Sequence, residues 1–175
     1  MSTSTMSVAG EERGIAARFL MAGAVVAALD GLFAVGLCMS VNQTCTPARV
    51  FQSIAAGLLG RPAAYDGGMA TALLGVALHL TVAFGWTTVY LLAVRYVPWL
   101  ARAVRTRLGR LEVALVFGAI IWLVMDLVVI PLSQARQTPV SSPFFWVVLA
   151  EHPVLVAFPM VALLGDGRAG RRAAA

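Results

Sequence analysis

The sequence predicts an all-α polytopic membrane protein: four transmembrane helices in a bundle plus a short outer-surface helix. Three observations predict it. Of the 175 residues, 60% are hydrophobic and only 12% are charged. Mean hydropathy is +0.86. The apolar residues gather in four runs, each near the roughly 20 residues that a helix rising about 1.5 Å per residue needs to cross about 30 Å of hydrocarbon. An ordinary soluble domain is roughly 45–50% apolar and about 25% charged. A soluble fold made of this chain would lack polar surface, so disorder, a soluble enzyme domain and a nucleic-acid-binding module are set aside.

The spans lie at about 19–38, 69–94, 113–132 and 144–164. Backbone groups in hydrocarbon must bond within their own segment, so each run is a helix. None shows the two-residue alternation of a barrel strand. The first run has no small-residue cleavage site after a short apolar core, so it is read as a retained helix, not a signal peptide. Residues 1–13 and 165–175 read as flexible tails around a transmembrane domain at 14–164.

All 13 basic residues are Arg. Ten lie on one side of the predicted bundle: Arg13, Arg18, Arg95, Arg102, Arg105, Arg107, Arg110, Arg168, Arg171 and Arg172. Only Arg49, Arg61 and Arg136 lie on the other. The positive-inside rule then places both termini in the cytoplasm. The chain reads as bacterial, which makes the bilayer the cytoplasmic (inner) membrane. Tyr90, Tyr96, Trp99 and Trp146 fall at span ends, as aromatic belts do. The basic residues flank apolar runs and are not interleaved with stacking aromatics, so lipid headgroups and not nucleic acid are their expected partners.

The longest outer loop covers 39–68. Thr46-Pro47 is a helix start, with Thr46 as N-cap and Pro47 in the first turn. Residues 48–59 place Phe51, Ile54, Ala55 and Leu58 on one face, with Arg49, Gln52 and Ser53 elsewhere, which suits a helix lying on the outer surface. Gly60-Arg61-Pro62 ends it, and Asp66-Gly67-Gly68 turns the chain into the second span. Cys38 and Cys45 face the oxidising side in this topology; they either close a disulfide or remain two thiols. The segment 95–110 mixes apolar residues with five arginines and reads as a cytoplasmic interfacial segment.

Each span carries an ionisable residue inside its apolar run: Asp30, His79, Asp126, and Glu151 with His152. At about 1.5 Å per residue, all lie roughly 9–15 Å below the outer edge. Charges at that depth normally face the bundle interior, paired or wet. The five are therefore expected to converge in one buried polar cluster. Gly23, Ala27, Asp30 and Ala34 share a face of the first span. Gly68, Ala72, Gly75 and His79 share one of the second, where small residues admit a neighbouring helix. In the third span bulky Trp122 precedes Asp126, so that argument does not extend there. Pro153 removes a backbone donor directly after His152, and a kink is expected beside the ionisable pair. The ascending spans carry Asp and the descending ones His, the pattern of two parallel hairpins.

Three stretches carry a resemblance. They are Ala28-Leu29-Asp30-Gly31; Gln52 to Gly60 with Gly67-Gly68, Leu74-Gly75 and Leu78-His79; and Val124-Met125-Asp126-Leu127 running on through Ile130-Pro131-Leu132-Ser133. Together they resemble a group of uncharacterised small bacterial membrane proteins with four helices. More distantly they are similar to the YagU-like inner-membrane family, in which a His in the second helix, a Pro-Leu ending the third and a Glu/His pair in the fourth also occur. The likeness covers about 20–160 and implies topology, with no activity attached.

Function classes follow from the polar layer. The leading reading is a structural or partner-binding membrane protein whose layer joins the helices by hydrogen bonds. It is more an interaction protein than an enzyme: G-x-S-x-G, H-E-x-x-H and P-loop motifs are missing from the sequence. Its partners are the bilayer and either a second copy or another membrane protein. The alternative is a proton- or ion-coupled transport or permeation component, since intramembrane Asp, Glu and His form relays. No cofactor is predicted outright. A second alternative uses His79 and His152 as axial haem ligands, or both with Asp30 or Glu151 around a divalent metal.

Overall fold

The computed structural model describes residues 3–167, with side chains from Arg13 onward. No strand occurs among them. Helix α1 covers Thr3–Val41, α2 Pro47–Leu59, α3 Arg61–Asp66, α4 Gly68–Tyr96, α5 Pro98–Ala103 and α6 Arg107–Val124. A π-helical turn, Met125–Val129, continues α6. The last span is α7 (Pro143–Glu151), a second π turn (His152–Ala157) and α8 (Phe158–Leu164). Four stretches are long and apolar enough to cross a membrane: Arg13–Val41, Gly68–Tyr96, Arg107–Val129 and Pro143–Leu164.

Apolar residues point outward along these spans. Leu32, Leu73, Leu115, Val116 and Val154 are exposed. The surface is therefore built for acyl chains, since so much contiguous apolar area would drive association in water. The spans run up, down, up, down. One end of the bundle carries Cys38, Cys45, α2, α3 and the 130–142 loop; it is called here the disulfide end. The opposite, arginine-rich end carries α5.

α1 packs on α4 and on the fourth span, which in turn packs on α6. Helices α4 and α6 meet through large side chains. The Phe117 ring lies 6.1 Å from Trp86 and 5.7 Å from Tyr90. This region is an apolar seal toward the arginine-rich end, with Val26, Tyr90, Val104, Met160, Val161 and Leu164 fully buried.

Several expectations require correction. Residues 3–13, expected as a tail, continue α1 as helix, which extends back from the apolar run over good helix formers such as Ala9, Glu11 and Glu12. At the C-terminal side, Gly165 and Asp166 are tied down: the Tyr90 hydroxyl donates to the Gly165 carbonyl at 2.7 Å, and Arg105 Nε lies 3.5 Å from Asp166 Oδ2. The rest of that predicted tail, 168–175, lies outside the described residues. Tyr90 is fully buried by this bond and is no belt residue, whereas Tyr96, Trp99 and Trp146 are exposed.

Helix α2 begins as expected: Thr46 Oγ1 accepts from the Arg49 amide at 3.3 Å, and Pro47 occupies the first turn. One face is exposed at the disulfide end, with Leu58 59% accessible, and the other is buried. The helix packs against α4 so closely that a Cβ at Gly75 would overlap the Phe51 backbone. Its buried face is Val50, Gln52, Ala55 and Ala56, while Leu58 is exposed. The Gln52 amide donates to the Gly68 carbonyl at 2.8 Å, beside the Thr71 hydroxyl, which donates to the same oxygen at 3.1 Å. Gly60 and Gly68, at φ +77° and +60°, make the turns bounding α3 that a side chain would strain. A disulfide joins Cys38 to Cys45, with Cα atoms 6.0 Å apart, and pins α2 to the end of α1.

Candidate functional site: the ionisable layer

Helix α1 turns Ala27, Asp30 and Gly31 toward α4. Gly31 leaves room for the His79 imidazole, whose Nε2 would lie 3.3 Å from a Cβ there. His79 Nε2 lies 2.9 Å from the Ala27 carbonyl oxygen. A carbonyl can only accept, so Nε2 carries a proton and donates across the helix pair. Nδ1 then faces Asp30, 3.8 Å from Oδ2. That spacing is too long for a hydrogen bond but within reach of a shared positive charge. Phe51 of α2 meets the imidazole edge-on, with centroids 6.0 Å apart.

The fourth span supplies the other half. Pro153 has no amide proton, and the ladder shifts by one residue into the π turn, in which the Phe158 amide reaches the Pro153 carbonyl. The expected kink therefore takes the form of a π turn starting at His152. His152 Nδ1 lies 2.9 Å from the Val148 carbonyl oxygen and 2.7 Å from Glu151 Oε2. One N–H cannot serve both acceptors well. Glu151 lies within ion-pair distance of His152, yet neither carboxylate oxygen meets hydrogen-bond geometry. The Glu151 side chain is only 2% exposed. The Trp122 ring packs against the His152 ring at 5.1 Å, tilted by 54°, and its indole N–H is buried without a partner.

One carboxylate oxygen of Asp30, one of Glu151 and one ring nitrogen of His152 all lie within 4.8 Å of one another. His79 adjoins them through Asp30. Four of the five predicted residues thus meet. Asp126 does not join them. It is fully buried in the first π turn, with its backbone carbonyl accepting from Gln137 at 3.0 Å. Its carboxyl faces Gln137 and Thr138 without reaching hydrogen-bond geometry with either. The π turn that carries the Ile130 amide to the Met125 carbonyl has swung it toward the loop.

Two cavities meet at Asp30. A vestibule of about 860 Å³ opens at the disulfide end between α1, α2, α3 and α7. An inner cavity of about 240 Å³ lies below it, lined by Asp30, His79, Trp86, Trp122 and His152, with Ile54 of α2 closing one side. Asp30 and Val148 belong to both walls.

Three contributors were not foreseen: Trp122, read only as bulky; Gln137, which caps Asp126; and Gly118. A Cβ on Gly118 would overlap the backbone at His152 and Pro153, so this glycine admits the fourth span at the site. Its signal was present as the small residue two turns before Asp126. Comparison of the chain with protein-family models, curated proteins and solved structures finds no match.

Proposed function

We infer that the protein is a proton- or cation-coupled permeation component whose buried layer takes up positive charge from the vestibule. The observation that carries this reading is the charge balance of the layer. Asp30 is half-buried and Glu151 buried, and each lies within ion-pair distance of an imidazole, His79 and His152 respectively. Two carboxylates beside two imidazoles, which are neutral unless protonated, stay neutral only by binding protons or a cation, because an uncompensated charge in hydrocarbon costs several kcal/mol. A cluster serving only as interhelical glue would satisfy its oxygens, and those of Glu151 are unsatisfied.

Sidedness follows from chemistry. A disulfide suits an oxidising compartment, and the arginine-rich end suits the cytoplasm. In this reading the vestibule faces outward, the termini face inward, and the bilayer is a bacterial cytoplasmic membrane. The apolar seal below the layer opens by rearrangement of the π turns, or a second copy completes the path.

The test is proton and cation flux in proteoliposomes for the wild type, Asp30→Asn and His79→Ala. Flux that falls in both variants supports the reading. A silent wild type, with variants that lose only thermal stability, leaves the structural role in its place.

A further inference from the structure

We propose that Asp30, Glu151 and His152 form a binding site for a divalent transition-metal ion such as Zn²⁺, Mn²⁺ or Fe²⁺, reached from the vestibule past Asp30. The inference names an ion for the layer described above and rests on that layer being a cation site. Three donor atoms within 4.8 Å of one another can close on a single ion at about 2.0–2.2 Å with small side-chain shifts. The independent pointer is Glu151, a carboxylate 2% exposed, whose two oxygens lack hydrogen bonds and which sits directly against the His152 ring.

The donor set selects the class of ion. Two oxygens and one imidazole nitrogen suit first-row divalent ions; an imidazole ligand disfavours Mg²⁺ and Ca²⁺, and no thiolate is present to favour Cu⁺. Charge selects it too. Two carboxylates and a neutral imidazole cancel a 2+ ion, leaving the trio neutral in hydrocarbon. Protons that neutralise the carboxylates in the metal-free protein leave as the metal binds.

Three protein ligands leave coordination positions for water, the arrangement of an exchangeable site. Asp30 is the exposed member, 29% accessible from the vestibule, and is the entry ligand. His79 is a positioning residue: its Nε2–H bond to the Ala27 carbonyl fixes the ring that faces Asp30, as outer partners do around metal ligands. Trp122 holds the plane of the His152 ring.

The test is a Co²⁺ titration of the chelator-stripped full-length chain in lipid nanodiscs. Saturable ligand-field absorption at one ion per chain, displaced by Zn²⁺ but not Mg²⁺, is expected. Glu151→Gln and Asp30→Asn should each weaken binding about tenfold or more, and Asp126→Asn should leave it unchanged. The wild type's melting temperature should rise with Zn²⁺ and not with Mg²⁺, a readout that needs no variant to fold. A folded wild type that neither binds Co²⁺ nor gains stability overturns the proposal, as does equal loss of binding in Asp126→Asn. Metal binding without flux keeps this inference and defeats the permeation reading; flux without metal binding does the reverse.

Discussion

Gly118 of α6 lies so close to Pro153 of the fourth span that a single added methyl group would overlap the facing backbone. This contact seats the π turn, and with it His152, against the layer. Gly118→Ala is expected to destabilise the bundle by about 1–3 kcal/mol through overpacking. Thermal unfolding in detergent measures it, and an unchanged midpoint would show that the two helices have slack there.

The Cys38–Cys45 bridge closes a separation of seven residues. Restricting so short a loop in the unfolded chain contributes about 2–3 kcal/mol in the chain-entropy description. Reductant should lower the wild-type melting temperature and leave a Cys38→Ser, Cys45→Ser double variant unmoved. The same cysteines report topology. After reduction, a membrane-impermeant maleimide should label Cys38 from outside intact cells; labelling only after lysis would reverse the proposed orientation.

The Gln52 side chain is buried between α2 and the turn into α4. Gln52→Leu removes that donor from the Gly68 carbonyl, which keeps the Thr71 hydroxyl, and should cost about 0.5–1.5 kcal/mol. Loosened α2 should also make the inner cavity more accessible, since Ile54 of the same helix lines it. Faster quenching of tryptophan fluorescence by acrylamide would report this. Quenching and stability both equal to wild type would mean that α2 needs no such anchor.

Tyr90 ties the middle of the bundle to the end of α8 through its 2.7 Å bond to Gly165. Tyr90→Phe removes one buried hydrogen bond at nearly constant shape, for an expected loss of about 0.5–1.5 kcal/mol. Its ring contact with Phe117 stays, so Tyr90→Ala should be worse by at least as much again through the cavity it leaves. Equal losses in the two variants would make the hydroxyl the whole contribution.

What the sequence made readable was what obeys one local rule. Four apolar runs gave four spans, because length and hydropathy alone decide whether a helix crosses lipid. Thr46-Pro47 gave the start of α2, because capping is a matter of three consecutive residues. Helical periodicity could not say which face of α2 meets α4: Gln52 and Leu58 exchanged places because the carbonyls that the Gln52 amide reaches, on Tyr65 and Gly68, lie at the turn into α4. Depth counted from span ends gathered Asp30, His79, Glu151 and His152 correctly, but a π turn adds a residue to the ladder. That rotation separated Asp126 from the rest. Tyr90 read as a belt residue because its distance from the span end was visible and its partner, 75 residues away, was not.

In the proposed function the layer accepts positive charge from the vestibule side. Infrared difference spectra of the reconstituted wild type test it most directly, recorded as the bathing solution is switched in pH and then to Co²⁺. Reversible changes in the carboxyl stretching bands are expected, diminished in Asp30→Asn and in Glu151→Gln. Bands that stay fixed through both switches in a folded protein would contradict it and leave the layer an inert joint between helices.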